Sequence, residues 1–361
     1  MAIFTDIFED VTKQGRKIPT SDYHEIGAHP IIDQGQSAIA GYTDETDGLF
    51  TDVPAIIFGD HTRVLKYVDT PCFLGADGVK LLKAKIANSN YKYLYYVLSN
   101  ANIPNTGYNR HFKWLKEVDI PLPNADEQQK IVDTLDKISK LIALQKEQLA
   151  KLDQLVKSRF IELFDDCNKQ TSIKESGLTI SDGNYSSKYP RSEEFVESGI
   201  PFIRANNLKN GTVVDEDMYF ITPEKHAILL KGHLKPNDVL ITTRGNIGQV
   251  AIVPDEHNDS NINAQIVLLR DKNGRFVPQY LLWALQAEET KAQYIELQTG
   301  TALKQLPVGR LEQVVIKEPP IDLQQQFATF VEQVDKSKLA IQQSLDKLEL
   351  LKKSLMQEHF G

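Results

Sequence analysis

The sequence predicts an α+β protein in which two mixed α/β domains are separated by two long helices that form an antiparallel coiled coil. Two observations lead to this fold class: the chain contains an internal repeat, and each copy ends in a long apolar stripe with helical period. The 361 residues, 41% of them hydrophobic, suffice for more than one core. The predicted segments are a first domain at 1–123, a first helical spacer at 124–166, a second domain at 167–319 and a second helical spacer at 320–361.

The internal repeat is found by shifting the sequence against itself. A shift of 196 residues places Gln128-Gln129 on Gln324-Gln325, and it places Lys151-Leu152 on Lys347-Leu348. A shift of 187 residues matches 79–82 with 266–269. An ordered series of matches at nearly constant offset predicts a duplicated chain.

The first residues indicate that this pseudo-two-fold repeat is circular. Residues 4–10 (FTDIFED) are similar to residues 160–166 (FIELFDD), so the chain begins with a segment that resembles the tail of a long helix. We therefore expect the N-terminus to dock beside the end of the second long helix.

Each copy ends in a candidate long helix. Apolar residues recur in alternating steps of three and four over 126–164, beginning at Ile131, and again from Phe327 onwards. Asp126 and Asp322, each with a glutamine three residues later, are helix-start signals. Such stripes need a partner, and the pseudo-two-fold repeat predicts that the two helices pair with each other in antiparallel orientation. A helix of this size spans roughly 55–60 Å.

The two domains carry short β-rich runs, such as 53–59 and 238–243, which are bounded by turn residues. Each domain also has one amphipathic helical stretch, at 90–100 in the first and at 278–296 in the second.

The loops of both domains are rich in residue types that suit nucleic acid. Arginine suits guanine, asparagine and glutamine suit adenine, and backbone amides in glycine-rich turns suit phosphates, although polar residues populate all loops. The candidate DNA-binding residues are Gln34, Gln36, Tyr42, Thr43, Tyr108, Asn109, Arg110 and Lys113 in the first domain, and Tyr185, Lys188, Arg191, Arg204, Asn206, Asn207, Arg244, Asn246, Thr301 and Lys304 in the second.

Composition and charge narrow the class of protein. The net charge of −8 argues against a surface coated with phosphate-binding groups, although only the local field along a DNA path matters. The acidic N-terminus lacks a signal-peptide pattern and no apolar run reaches roughly 18 residues, so a cytoplasmic protein without membrane contact is predicted. Cys72 and Cys167 form no C-x-x-C pair and the eight histidines are scattered singly, so neither a disulfide framework nor a metal site is predicted.

No catalytic centre is predicted either. Residues 73–78 (FLGADG) resemble a glycine-rich cofactor loop, but the nearest match to an adenine-holding motif, 318–321 (EPPI), lacks the aromatic residue needed for stacking. Asp255, Glu289 and Lys291 spell a nuclease-like pattern, but Glu289 and Lys291 fall on different faces of one predicted helix. The sequence has no phosphate loop, so we expect a non-catalytic chain without a cofactor.

Several of these motifs together resemble the specificity subunit of a Type I restriction–modification system. Residues 26–32 (IGAHPII) and 199–204 (GIPFIR) are similar to the openings of recognition domains in this family. Residues 120–123 (IPLP) and Pro319-Pro320, each followed by glutamines, are similar to the segments that precede its conserved helices. The resemblance covers nearly the whole chain. Its departures are a shorter first domain and Leu323 at a helix-start position.

The resemblance implies a bipartite double-stranded DNA target, with one half read by each target-recognition domain. It also implies that the helices set the gap between the halves and dock two adenine-methyltransferase (modification) subunits. Further restriction/translocase subunits would join the complex. The alternative from another functional class is a non-catalytic adaptor whose paired domains bind protein.

Overall fold

The computed structural model of the chain describes residues 1–75, 78–183, 186–301 and 303–361. The chain divides into two compact units. Unit 1 consists of Met1–Gln148 and Ile341–Gly361, and unit 2 consists of Leu149–Ala340. Each unit therefore contains one mixed α/β domain and about half of each long helix. The sequence-based limits of the four segments stay a prediction.

The elements of unit 1 precede the first long helix. They are β1 (Ala2–Ile3), α1 (Phe4–Ile7), β2 (Phe8–Asp10), β3 (His29–Ile32), β4 (Gly41–Thr43), β5 (Ala55–Gly59), β6 (Leu65–Val68), β7 (Phe73–Leu74), β8 (Val79–Ala84), α2 (Tyr91–Asn100), α3 (Phe112–Leu115) and β9 (Asp119–Ile120), and they are followed by the long helix α4 (Ala125–Phe164).

Unit 2 has the same kinds of element and includes two additional strands, β13 and β14. Its elements are β10 (Gln170–Ser172), β11 (Thr179–Asp182), β12 (Ile200–Ile203), β13 (Leu208–Lys209), β14 (Thr212–Val213), β15 (Tyr219–Ile221), α5 (Pro223–Ile228), β16 (Val239–Thr242), β17 (Val250–Ile252), β18 (Asn261–Ile262), β19 (Ile266–Arg270), α6 (Pro278–Gln286), α7 (Glu288–Leu297), α8 (Val308–Leu311) and β20 (Val315–Lys317). The second long helix, α9 (Ile321–Phe360), follows them.

The three sheets of unit 1 recur in unit 2. The main antiparallel sheet has the order β2-β8-β5-β6 in unit 1 and β11-β19-β16-β17 in unit 2, where β14 and β13 extend it. A three-stranded sheet, β4-β3-β7 or β15-β12-β18, contains one parallel pair in each unit. The third sheet is a two-stranded pairing of β1 with β9 or of β10 with β20. The predicted internal repeat is confirmed.

The central strand of each main sheet buries both of its faces. In β5, Ile56 and Phe58 join the apolar cluster that includes Tyr93 of α2, whereas Ala55 and Ile57 join a second cluster. This division follows from the two-residue period of a strand, because neighbouring side chains point to opposite faces. The residues of β16 are divided between two clusters in the same way. Each fully buried large side chain contributes about 1.5–3 kcal/mol.

The N-terminus docks in unit 1 as the circular repeat predicts. Phe4 and Ile7 are buried in the same apolar cluster as Met356, which lies near the end of α9. This burial places the first residues of the chain beside the last helix of the same unit.

The residue-by-residue match proposed for the N-terminus is wrong. The amide of Phe4 donates to the carbonyl of Val118 (3.0 Å), and the amide of Ile173 donates in the same way to Val314 (2.9 Å). Phe4 is thus the structural counterpart of Ile173 rather than of Phe160. The apparent match arose because both segments contain phenylalanine among acidic residues. This similarity of composition does not determine which residues pair in the sheet.

Within unit 1, α4 and α9 pack in antiparallel orientation. Gln145 Nε2 donates to Ser344 Oγ at 2.8 Å, and Lys146 Nζ lies 2.8 Å from Glu349 Oε1. Leu135, earlier in α4, shares an apolar cluster with Met356, which is further along α9. Residue numbers therefore rise along one helix as they fall along the other.

The same orientation holds within unit 2. Lys338 forms an ion pair with Asp153, and the ring of Phe327 lies 5.3 Å from that of Phe160. The predicted antiparallel pairing of two long helices is confirmed. Among the described residues, no helix is both long and apolar enough to cross a membrane.

The cap of the first long helix lies two residues earlier than the sequence pattern predicts. Asn124, and not Asp126, accepts the capping hydrogen bond from the amide of Glu127 (2.9 Å). Asp126 lies inside the first turn, where an acidic residue is still favourable because of the helix dipole.

The single helix predicted at 278–296 is in fact two helices, α6 and α7. The break lies at Ala287, whose ψ of 144° is extended rather than helical. The hydroxyl of Tyr294 donates to the carbonyl of Leu285 at 2.9 Å and so satisfies a carbonyl at the end of α6. Tertiary burial of Tyr294 overrides the local helical pattern.

Glu318, in the EPPI motif, is the buried member of a charge cluster whose other members, Arg275 and Lys169, are half-buried and exposed. Its carboxylate accepts from the Arg275 guanidinium at 2.7 and 3.1 Å and lies 3.0 Å from Lys169 Nζ. The Arg275 guanidinium is the main cause of the lowered pKa of Glu318, and Lys169 lowers it further. The motif therefore has a structural role. It contains no aromatic residue on which a base could stack.

We expect Glu318→Gln to lower the free energy of unfolding by about 1–3 kcal/mol at pH 7, since charge-assisted hydrogen bonds are lost. Because the folded-state pKa is lowered, the parent's stabilisation is present above the ordinary value of 4.5 and is lost as the pH falls through the folded-state pKa. The difference between parent and variant in urea denaturation should therefore shrink in acid. Glu332→Gln, in an exposed pair with Lys336, is the control and should behave like the parent.

Candidate DNA interface

Three loops meet at one edge of each unit. In unit 1 they are 33–40 after β3, 60–64 between β5 and β6, and 101–111 between α2 and α3. We call this set the first loop edge. In unit 2 the corresponding loops are 204–207 after β12, 243–249 between β16 and β17, and 298–307 between α7 and α8, which we call the second loop edge.

Backbone hydrogen bonds hold the first loop edge together. The amide of Asp60 donates to the carbonyl of Gly78 (2.6 Å), and the Asp60 carbonyl accepts from the amide of His111 (2.8 Å). The amide of Gly75 donates to the carbonyl of Ile32, directly before the first of the three loops (2.8 Å). Asp60 thus joins the second loop directly to the third, whereas Gly78 is bonded to the second loop and Gly75 to the strand that leads into the first.

The second loop edge repeats this arrangement. The amide of Thr243 donates to the carbonyl of Gln265 (2.8 Å), and the Thr243 carbonyl accepts from the amide of Leu306 (2.8 Å). The amide of Asn263 donates to the carbonyl of Ile203 (2.9 Å). Corresponding loops are therefore held by corresponding bonds in both units.

Side chains brace the first loop edge further. The buried Asp60 carboxylate accepts from the amide of Phe112 at 2.8 Å. Gln34 joins two of the loops, because its side-chain carbonyl accepts from the amide of His61 (3.3 Å) and its backbone carbonyl accepts from the hydroxyl of Thr62 (2.6 Å). Gln34 thus positions the neighbouring loop in addition to any contact it makes with DNA.

A stacked aromatic pair lies on the first loop edge, with one ring exposed and the other half-buried. Tyr108 is 88% exposed, and its ring stacks on that of His61 with centroids 4.6 Å apart and planes inclined by 8°. Arg110, two residues further on, is also exposed. A flat ring beside a guanidinium suits contact with a base edge or a sugar–phosphate backbone.

In the second loop edge, two predicted residues are engaged in different ways. The Arg204 guanidinium lies 3.4 Å from the ring centroid of Tyr219 and donates to the carbonyl of Asp217 at 2.7 Å. Asn207 is fully buried, and its side chain accepts from the amide of Arg204 and donates to the carbonyls of Val214 and Glu216. Asn207 therefore shapes the loop and does not face solvent.

The predicted DNA-binding residues differ in exposure. The exposed ones are Gln36, Tyr108, Asn109, Arg110, Lys113, Lys188, Arg191, Asn206, Asn246, Thr301 and Lys304, the half-buried ones are Gln34, Tyr42, Arg204 and Arg244, and the buried ones are Thr43 and Asn207. Tyr185 lies outside the described residues. Thr43 and Asn207 are omitted from the interface proposed below, because a buried side chain cannot reach DNA.

The predicted residues also differ in location. Tyr42 and Thr43 lie on β4, and Lys188 and Arg191 lie on the segment before β12, so these four stand outside the loop edges. Lys113 is on α3, directly after the first loop edge. The remaining described residues belong to the loop edges themselves.

The second loop edge is basic although the chain is acidic. Its three ranges contain Arg204, Arg244 and Lys304 and no aspartate or glutamate. In the first loop edge, Asp33 lies 3.3 Å from Lys66 Nζ and Asp60 is buried. The first loop edge also contains Arg63 and Arg110, so its formal charges balance. The local charge of the second loop edge therefore favours a polyanion, whereas that of the first is neutral.

Sequence analysis missed His61 and Arg63, which occupy the loop of unit 1 that corresponds to Arg244 and Asn246. A shift of 183 residues would have found them, since it aligns β5 with β16 and Asp60 with Thr243. Only the strand register reveals this shift, because it differs from the other two offsets.

The nuclease-like pattern has ordinary structural roles. Glu289 lies 3.5 Å from Lys317 Nζ, Lys291 pairs with Glu288 at 3.0 Å, and Asp255 opens a separate 3-10 turn. The glycine-rich decoy at 73–78 falls partly outside the described residues.

Comparison with known proteins decides the family. The family described as "Type I restriction modification DNA specificity domain" matches residues 4–154 and 179–351 of the chain. The chain belongs to this family. The two matched segments are the two copies of the repeat, and the specificity-subunit family is the non-catalytic DNA-recognition component of these systems.

Individual relatives agree with the family. The chain is 27% identical over 252 residues to the Type I restriction enzyme EcoR124I/EcoR124II specificity subunit of Escherichia coli, covering 64% of this chain and 60% of that one. It is 23% identical over 264 residues to the MjaVIII specificity subunit of Methanocaldococcus jannaschii, covering 68% and 61%. The matched part of the chain thus spans about three fifths of the length of these relatives.

A solved structure shares the fold. The S subunit of a Type I restriction–modification system from M. genitalium superposes with a TM-score of 0.62 at 16% identity, covering 100% of this chain and 95% of that one. This likeness shows that the chain shares the fold of that structure.

Proposed function

We propose that this specificity-family chain reads a bipartite double-stranded DNA target, with each loop edge reading one half. The observation that carries the proposal is the duplication of one three-loop edge, held by the same backbone bonds in both units. Loops on a rigid scaffold can change their side chains without loss of the fold. Two separate domains can therefore each recognise a different DNA sequence. The domain limits at 123, 166 and 319 are part of this proposal.

The side chains we assign to the interface are those that the loop edges hold at or near the surface. They are Gln34, Gln36, Tyr108, Asn109, Arg110 and Lys113 in unit 1, and Arg204, Asn206, Arg244, Asn246, Thr301 and Lys304 in unit 2. Lys188, Arg191, Tyr42 and Tyr185 would be auxiliary contacts outside the loop edges.

The long helices would set the gap between the two half-sites and dock two adenine-methyltransferase subunits. Restriction/translocase subunits would then join the complex. Large apolar side chains on α9 support a docking role, since Leu339 is 61% exposed in unit 2 and Leu350 is 68% exposed in unit 1. The chain itself would be non-catalytic and act on DNA in the cytoplasm.

Exchange of residues 167–319 for a different recognition domain tests the proposal. We expect one half of the methylated DNA motif to change and the other half to remain, because each loop edge belongs to one unit. Methylome sequencing of cells that supply the modification partner gives the readout.

The matched control exchanges 1–123 and should change the opposite half. If both halves changed together, or if neither exchange affected DNA selection, modular reading would be wrong. A chain that selected no DNA and captured only protein would favour the adaptor instead.

A further inference from the structure

Two histidines and an aspartate converge in unit 2, away from the second loop edge. His226 Nε2 lies 3.3 Å from Asp259 Oδ2, and His233 Nδ1 lies 3.5 Å from Asp259 Oδ1. The ligand atoms of the three side chains lie within 4.8 Å of one another. Within the described parts of the chain, no other group of three His, Cys, Asp or Glu side chains meets so closely. We propose that these three residues bind one Zn²⁺ ion.

Each imidazole nitrogen is about as far from the Asp259 carboxylate as two ligand atoms of one tetrahedral ion are from each other. Zinc bonds of about 2.0–2.1 Å at tetrahedral angles place neighbouring ligand atoms roughly 3.4 Å apart. His226 Nε2 is near this distance from one carboxylate oxygen of Asp259 (3.3 Å to Oδ2), and His233 Nδ1 is near it from the other (3.5 Å to Oδ1). Three protein ligands leave the fourth position for water.

The second nitrogen of each ring is already hydrogen-bonded. His233 Nε2 donates to the backbone carbonyl of Leu229, and His226 Nδ1 donates to the side-chain oxygen of Asn261, which is fully buried. Histidine ligands of metals have this second contact, because it fixes the ring and its tautomer.

These bonds determine which lone pairs face Asp259. The Leu229 carbonyl can only accept a hydrogen bond, so His233 must carry a proton on Nε2. In a neutral ring the other nitrogen, Nδ1, is then unprotonated and faces the carboxylate of Asp259. His226 presents Nε2 to the same carboxylate for the same reason. Facing acceptors repel, and a divalent cation between them removes the repulsion.

Three separate segments supply the ligands. His226 is in α5, His233 lies in a bridge to β18, and Asp259 stands in the turn before β18 with a φ of 62°. Aspartate and asparagine tolerate this left-handed conformation better than other non-glycine residues. An ion here would join these segments to the strand that leads to Asn263, whose amide helps to hold the second loop edge.

The site would have a structural role. Zinc suits a mixture of imidazole and carboxylate ligands, and binding to the folded state alone raises its stability. The spacing His-x6-His-x25-Asp does not match a metal-binding sequence motif, so no metal site was predicted from the sequence.

Metal content of the full chain tests the proposal. The chain, purified without a histidine tag and stripped with EDTA, should take up one Zn²⁺ per chain after gel filtration, as measured by elemental mass spectrometry. Its melting temperature should rise by about 2–6 °C with saturating Zn²⁺. Co²⁺ in the same site should give the visible absorption of a tetrahedral complex.

Asp259→Asn keeps a residue that tolerates the backbone conformation and removes the charged ligand, and His233→Gln removes a ring. Each should weaken Zn²⁺ binding by at least about 100-fold, since even loss of a supporting contact costs 10–100-fold. His24→Gln, at an exposed histidine of unit 1, is the matched control and should bind as the parent does.

The proposal is overturned if the parent retains no zinc, or if both ligand variants retain as much as the parent. It is also overturned if stability responds to pH but not to Zn²⁺, because the cluster would then be only a set of ion pairs. If a variant fails to fold, the Co²⁺ spectrum and zinc content of the parent decide the question.

Discussion

Asp238→Ala is expected to destabilise unit 2 by about 3–5 kcal/mol, because it leaves the guanidinium of Arg270 without its counter-charge. Asp238 is 1% exposed, and its two carboxylate oxygens accept from Arg270 at 2.6 Å each. The same carboxylate accepts from the amide of Lys235 at 2.8 Å. The hydrogen bond to Asp238 is the main cause of the raised pKa of Arg270. The guanidinium nevertheless stays charged when its partner is lost, because an arginine side chain remains protonated at ordinary pH without any partner.

The measurement is urea or thermal unfolding of the full chain, with far-UV circular dichroism as the probe. Glu288→Ala is the control, because its pair with Lys291 is at the surface and should contribute nothing measurable. Equal behaviour of the two variants would show that the Asp238–Arg270 pair does not carry the stability we assign to it. Double substitution of Asp238 and Arg270 by apolar residues should recover part of the loss.

The double variant Arg244→Ala, Lys304→Ala should bind target DNA about 10–100-fold more weakly at moderate salt. Both side chains belong to the second loop edge, which has no acidic residue to offset them. Each lost phosphate contact lowers the slope of log affinity against log salt by about 0.9, so the slope should fall by roughly 2. Fluorescence anisotropy with a labelled duplex at several salt concentrations measures both quantities.

The matched control removes the same charge from the helices, as Lys336→Ala, Lys353→Ala. Both lysines are exposed and neither lies on a loop edge, so the salt slope should remain that of the parent. If the two double variants lowered the slope equally, net charge rather than the loop edge would govern DNA binding. An unchanged slope in the first variant would remove these residues from the interface.

Local patterns allowed the sequence to predict the repeat, the two long helices and the central strands. In a helix of 40 residues the apolar positions of many successive turns indicate the same helical face. An error at one position, such as the cap at Asn124, therefore does not change the prediction of a long helix. The buried strands β5 and β16 were recognised because their apolar runs are short, rich in β-branched residues and bounded by turn residues, which favours a strand over a helix. The pairing of the two helices followed from the same stripes, because apolar faces of that length need a partner.

The tertiary structure decided what depends on contacts between distant residues. Burial of Tyr294 broke a helix that its own sequence favours, and strand pairing gave the N-terminus a register that its sequence did not indicate. Exposure divided the predicted loop residues, because whether Asn207 faces solvent depends on carbonyls that lie seven and nine residues away. The cluster at Asp259 forms only when α5 and β18 are packed together. Local propensity determined which elements form, whereas only long-range packing could determine which side chains meet at a site.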